Sequence, residues 1–159
     1  MTKLVDVMVY LLKKYPFKSE LSNARLTKLV YLADWKFALK YKHQITTIQW
    51  TFNKFGPYVW DILETAKDNP KIFSIDATQN TYGAKKTLIR LIDENYALNL
   101  SSDEISTLDF VINSTKSLNW DKFIQLVYST FPILVSPKGS RLNLLELANI
   151  KERIKSQSE

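Results

Sequence analysis

The run LTKLVYLADWKFALKY, residues 26–41, constrains the fold more than any other part of the chain. At helical spacing Leu26, Leu29, Val30, Ala33 and Phe37 share one face, while Tyr31, Leu32, Trp35, Ala38 and Leu39 cover much of the rest. A helix apolar nearly all round needs neighbours on almost every side, so it belongs at the centre of a domain. Ser22 or Asn23 is placed to cap it. The 159 residues are enough to bury about two-thirds of the surface the unfolded chain would expose, and one domain over residues 1–159 is the simplest organisation.

Around this helix the pattern predicts smaller elements. Leu4, Met8, Leu11 and Leu12 mark an amphipathic helix over about 4–15, ending before Pro16. From Ile48 to Lys54 the period falls to two, with Ile48, Trp50 and Phe52 on one side and Gln49, Thr51 and Asn53 on the other, which is a half-buried strand. Gly56 then suits a tight bend, and Pro57 suits the first turn of a helix continuing through Val59, Ile62, Leu63 and Ala66. Residues 71–75 and 86–91 read as two short strands around the polar loop Thr78 to Gly83. Ser101 and Glu104 have the spacing of a capping box; Asn119 caps a further helix that Pro132 stops; and Asn143 with Glu146 opens the last one, after a turn at Pro137-Lys138-Gly139. The fold class is therefore mainly α (α+β): a compact helical domain with a short strand before the Gly-Pro turn and a small β-hairpin. Only 3 glycines and 5 prolines argue against a turn-rich all-β alternative.

Composition removes much chemistry. Without cysteine there is no disulfide framework, thiol nucleophile or thiolate metal site. The single histidine, His43, cannot form a two-His metal motif, and its place after Lys40, Tyr41 and Lys42 suits a solvated residue at a helix C-terminus. No cofactor, metal or catalytic residue is expected. Asp6 interrupts the apolar N-terminus, and no apolar run approaches the length of a membrane span, so a cytoplasmic protein is expected.

The net charge of +6 is uneven. Lys13, Lys14, Lys18, Arg25, Lys28, Lys36, Lys40, Lys42 and Lys54 stand against only Glu20 and Asp34 over residues 13–54. Such a balance suits an acidic partner, protein or nucleic acid, or else a set of solvated helix faces. No zinc-finger, RGG or RNP-type signature supports the nucleic-acid version.

Asp34 is the sharpest single feature. It lies beside Thr27, Val30, Tyr31 and Ala38 on the helical wheel, so it is shielded and needs hydrogen bonds. Lys54 and the backbone around Gly56-Pro57 are the candidate partners in a structural tie, against which stands a catalytic acid or base. No second acid stands at a defined spacing, because Asp61 and Glu64 fall on the exposed face of their own helix. Trp35, Trp50, Phe55, Tyr58 and Trp60 crowd the same region; most suit the core, and Phe55 and Tyr58, flanking the bend, are expected to be exposed.

The run LTKLVYLADW, a spacer of about ten residues, IT, an aromatic strand and FGPY together resemble the Panacea, or SocA-like, domain of bacterial and phage antitoxins. Lys28, Leu29, Tyr31, Leu32, Ala33 and Asp34 match its first motif, and Ile45, Thr46, Gly56 and Pro57 its second. The resemblance is specific over about residues 21–68. Tyr58 stands where the family commonly has Val, and Thr130-Phe131 where it often has Thr-His, which puts any His-dependent role in doubt.

The resemblance implies a non-enzymatic antitoxin that binds a protein toxin, usually encoded beside it, and holds it inactive. Some members instead deliver the toxin to a protease. The residues then fall into two groups: Lys28, Tyr31, Asp34, Gly56 and Pro57 as the structural motif, and Lys40, Lys42, Lys54, Phe55 and Tyr58 as partner contacts. A nucleic-acid-binding regulator using the basic stretch is the alternative function, and a hydrolase using Asp34 a more distant one.

Overall fold

In the computed structural model, which describes residues 2–79, 83 and 85–158, the apolar run forms the central helix α2 (Asn23–Tyr41). Ser22 caps it by accepting from the Arg25 N–H at 3.1 Å, and every residue from Arg25 to Trp35 is buried. Lys42 ends the helix in a left-handed conformation, φ 63°. Helices α1 (Thr2–Lys14), α4 (Ser102–Thr115) and α7 (Leu144–Ser158) pack against it, as does α3 (Asp61–Asp68). The all-round apolar pattern is thus answered by neighbours on all sides.

The capping box of α4 has both its bonds, Glu104 N–H to Ser101 Oγ at 3.1 Å and Ser101 N–H to Glu104 Oε1 at 2.8 Å. Asn119 caps α5 (Trp120–Tyr128), and Asn143 accepts from the Glu146 N–H at the start of α7. Pro132 does more than stop α5. It lies in the first turn of a separate short helix, α6 (Phe131–Val135), where a missing N–H costs nothing.

The strand region differs most from expectation. Strand β1 (Trp50–Asn53) is followed by β2 (Gly56–Tyr58), and the two pair antiparallel with Thr51 opposite Tyr58 and Asn53 opposite Gly56. Pro57 therefore does not open a helix; it lies in an edge strand, where a residue without an N–H is tolerated. The helix begins four residues later, at Asp61. Lys54 and Phe55 form the turn, Asn53 Oδ1 accepts from the Phe55 N–H at 3.0 Å, and Gly56 takes a positive φ of 100°. Strand β5 (Arg141–Leu142) pairs with the other side of β1, completing the order β2-β1-β5.

The second pair of strands forms as expected and is longer. Strand β3 (Phe73–Gln79) pairs antiparallel with β4 (Lys85–Leu91) from Phe73–Leu91 to Gln79–Lys85. Thr78, assigned to the loop by its polarity, belongs to the strand, and residues 80–82 of that loop lie outside the described residues. The outer side of β4 meets the chain just before α2, with Ser22 opposite Leu88 and the Ile89 N–H donating to the Leu21 carbonyl.

Candidate functional site

Asp34 is wholly buried and fully hydrogen-bonded. Its carboxylate accepts from the Thr46 N–H at 3.0 Å, the Thr46 hydroxyl at 2.5 Å, Trp50 Nε1 at 2.9 Å and Gln44 Nε2 at 3.2 Å. The structural tie expected from the sequence exists, but not to Lys54 or the Gly56-Pro57 backbone. Lys54 is exposed at the hairpin turn, with its ammonium 5.5 Å from the Phe55 ring. The partners come instead from residues 44–50, the segment that folds back over the C-terminal half of α2. Burial pushes the carboxyl above the usual carboxylate range, and the bonds from Thr46 and Trp50 pull it back.

Gln44 completes this arrangement by donating to the carbonyls of Thr46 and Ile48 as well, so one amide holds the segment's backbone to the carboxylate. A cleft of about 710 Å³ lies outside, lined by Gln44, Thr46, Ile48, Trp50, Arg141 and Leu145 among others. The donors to Asp34 line this cleft and the carboxylate does not. A molecule in the cleft would meet the donors already committed to Asp34 rather than its carboxylate. Among the described residues no group of three or more His, Asp or Glu is placed to hold a metal ion, and no helix is long and apolar enough to cross a membrane.

The other motif residues are also internal. The Tyr31 hydroxyl is 2.8 Å from Thr130 Oγ1, and the Tyr31 ring meets Trp50 edge-on at 5.6 Å, joining α2 to α5's end and to β1. Phe131, in the place where the resembled family often has a histidine, stacks on Trp35 at 6.5 Å. Lys28 is only 2% exposed, and no ion pair among the described residues reaches it. Desolvation lowers its ammonium from 10.5 to about 8. Gly56 packs so closely that an added Cβ would stand 3.3 Å from Tyr128 Cε1.

Arg25 was not singled out by sequence and is the second polar tie of the core. Its Nη2 donates to the Tyr15 hydroxyl at 2.9 Å and to the Thr115 and Leu118 carbonyls at 3.2 and 2.9 Å, and its guanidinium lies 4.5 Å from the Phe123 ring centre. It thus adds a side-chain bond to two carbonyls at and just past the end of α4 while joining the end of α1, α2 and α5. The available signal was a charged residue inside an apolar helix pattern.

These placements thin out the basic stretch. Arg25 and Lys28 are buried, Lys18 donates to the carbonyls of Leu12, Lys13 and Tyr15, Lys36 lies 4.1 Å over the Phe110 ring, and Lys42 pairs with Glu152 at 2.7 Å. Residues 13–54 do not form a continuous strip of free cations.

The candidate partner contacts fall in two places. Lys40 and Lys42 stand at the C-terminal end of α2, with Lys42 tied to α7. Lys54, Phe55 and Tyr58 belong to the β1–β2 hairpin. Phe55 is exposed, as expected, at 67%, whereas Tyr58 is partly buried, its hydroxyl 3.5 Å from Asn23 Nδ2. The larger exposed aromatic beside it is Trp60, 64% exposed and edge-on to Tyr58 at 5.4 Å. Aromatic crowding in the sequence pointed to the region without ranking its members.

A family model described as the antitoxin SocA-like, Panacea domain matches residues 26–131, a span that holds most of α2, the β1–β2 hairpin and Thr130. No curated protein and no solved structure gives a match.

Proposed function

Because this chain belongs to the antitoxin SocA-like, Panacea domain family, we propose that it is an antitoxin-type protein-binding module that neutralises a toxin encoded by the adjacent gene through direct complex formation in the cytoplasm, without catalysing a reaction. The family match is the observation that carries this reading. It is supported by the state of Asp34, the residue best suited to chemistry, whose oxygens are committed to Thr46, Trp50 and Gln44. The recognition surface is the β1–β2 hairpin and its exit, where Lys54, Phe55, Tyr58 and Trp60 present two large exposed rings beside a cation. Exposed aromatics of this kind supply most of the energy at protein interfaces.

Coexpression tests the proposal. The chain should restore growth to cells expressing the neighbouring gene product and should copurify with it. If that product is toxic but is neither bound nor neutralised, the proposal fails. If toxin levels fall while a protease-deficient host abolishes rescue, the chain acts as a delivery adaptor rather than as an inhibitor.

A further inference from the structure

The hydrogen-bond pattern of the β3–β4 hairpin leaves one sheet edge open. The Ile92 N–H donates to the Ile72 carbonyl at 2.7 Å, which marks 72 and 92 as a bonded pair. Bonded and non-bonded pairs alternate along an antiparallel ladder. With Ile75 opposite Ile89 and Ala77 opposite Thr87, the even residues of β3 bond to β4, while Ile75 and Ala77 aim their N–H and C=O groups outward. The same alternation explains why the Ile89 N–H turns away from β3 to reach Leu21. The outward N–H of Phe73 is satisfied by the Asn69 carbonyl, and among the described residues no strand pairs with β3 on its outer side.

Every other sheet edge is protected. Strand β2 is three residues long and contains Pro57; β5 has two residues; β4 carries Lys85, Lys86 and Arg90 and is met by Leu21 and Ser22. Short length, proline, lysine and a covering segment are the devices that keep edges from pairing. Strand β3, FSIDATQ, has seven residues with no proline or lysine, and past Phe73, where Asn69 covers the edge, no strand among the described residues pairs with its outer side. Its one charged residue is Asp76, about half exposed and held at 3.0 Å by Arg90.

We propose that the outer edge of β3 takes up an extended, proline-free segment of the protein partner by strand addition, with an apolar residue opposite Ile75 and a Lys or Arg opposite Asp76. The inference rests on the antitoxin reading for the existence of a protein partner. A second copy of the chain is the poorer occupant, because one short strand pair buries far less than the roughly 1,200 Å² of a stable interface and both copies carry +6. A partner already held at the β1–β2 hairpin needs only a small added contact, since the second event is intramolecular. Main-chain bonds would then supply affinity and the alternating side chains specificity.

The experiment uses the full chain and the neighbouring gene product. In the wild-type complex the amides of Ile75 and Ala77 should become protected from hydrogen exchange. Ala77→Pro removes an outward N–H while sparing the bonds to β4, so it should keep the wild-type circular dichroism and melting yet weaken the complex by about tenfold or more. If the wild-type complex forms with these amides still unprotected, or a folded Ala77→Pro variant binds as wild type, the strand-addition proposal is overturned and the antitoxin reading stands. If Ala77→Pro does not fold, amide protection in the wild-type complex decides alone. Concentration-dependent self-association that protects the same amides would assign the edge to a second copy and overturn the proposal. Failure of the wild-type chain to bind the product at all overturns both readings.

Discussion

Asp34 and Lys28 are two buried ionisable groups in one helix; burial disfavours the charged form of both, and they differ in their partners. Asp34 gains donors from Thr46, Trp50 and Gln44, so Asp34→Ala orphans them and should cost about 3 kcal/mol, measurable by denaturant unfolding. Lys28 has no ion pair among the described residues and is depressed by desolvation to about 8. Below pH 8 it is protonated in both states, and the fold bears the whole cost of a buried ammonium. Between about 8 and 10.5 it is neutral when folded and charged when unfolded, so the unfolded chain binds more protons and stability rises with pH. The fall from 10.5 to about 8 corresponds to about 3 kcal/mol at about 1.4 kcal/mol per unit. Lys28→Met should therefore stabilise the fold by up to that amount at pH 7 and flatten the rise between pH 8 and 10.5. Unfolding at pH 7 and pH 10 checks both. The sequence marked Asp34 by its polarity inside an apolar pattern, whereas Lys28 stood out only as one of the basic residues and as a position of the family motif. It could not name Asp34's partners, because the donors come from a non-periodic segment whose path over the helix only the folded chain defines.

At the scale of elements, the β1–β2 hairpin depends on one backbone conformation. Gly56 combines φ 100° with a ring 3.3 Å from any added Cβ, so Gly56→Val suffers both left-handed strain and a clash with Tyr128. The variant should lose about 3 kcal/mol or more and melt at least several degrees lower. Pro57→Ala should lie within about 1 kcal/mol of wild type, since an edge position requires no proline. Thermal melting of the pair separates a requirement for positive φ from one for proline. The helices were legible because periodicity, caps and Pro-Gly punctuation are local, and the bonds at Ser101, Asn119 and Asn143 sit where their spacing placed them. The Gly-Pro step was misread because proline fits the first turn of a helix and an edge strand equally well. Hydrogen bonding to β1 decides between them, and that pairing leaves no mark in the composition of FGPY. Thr78 was lost to the loop for a related reason: polar residues on a solvated hairpin resemble a turn.

For the whole molecule, the placement of charge and aromatics separates two contributions to binding. Lys42 is a poor probe of steering because Lys42→Glu would also break its pair with Glu152 and set two carboxylates together where α2 meets α7. Lys54 is exposed at the hairpin turn beside Phe55, so Lys54→Glu changes the field at the recognition surface without removing an internal tie. For a toxin with an acidic surface, Lys54→Glu should slow association a few-fold at low ionic strength, and the difference should shrink towards 1 M salt, where the screening length falls to about 3 Å. Phe55→Ala with Trp60→Ala removes the two exposed rings at the β1–β2 hairpin and its exit, at 67% and 64% exposure, and leaves the buried set intact. That double variant should melt near wild type, raise the dissociation rate by about tenfold or more and lose growth rescue. Surface-binding kinetics with the neighbouring gene product, run at two salt concentrations beside a melting curve, resolves the two effects. If the folded aromatic variant keeps the wild-type dissociation rate, recognition lies away from the β1–β2 hairpin. If it dissociates faster while Ala77→Pro does too, the partner spans both the exposed rings and the open edge of β3.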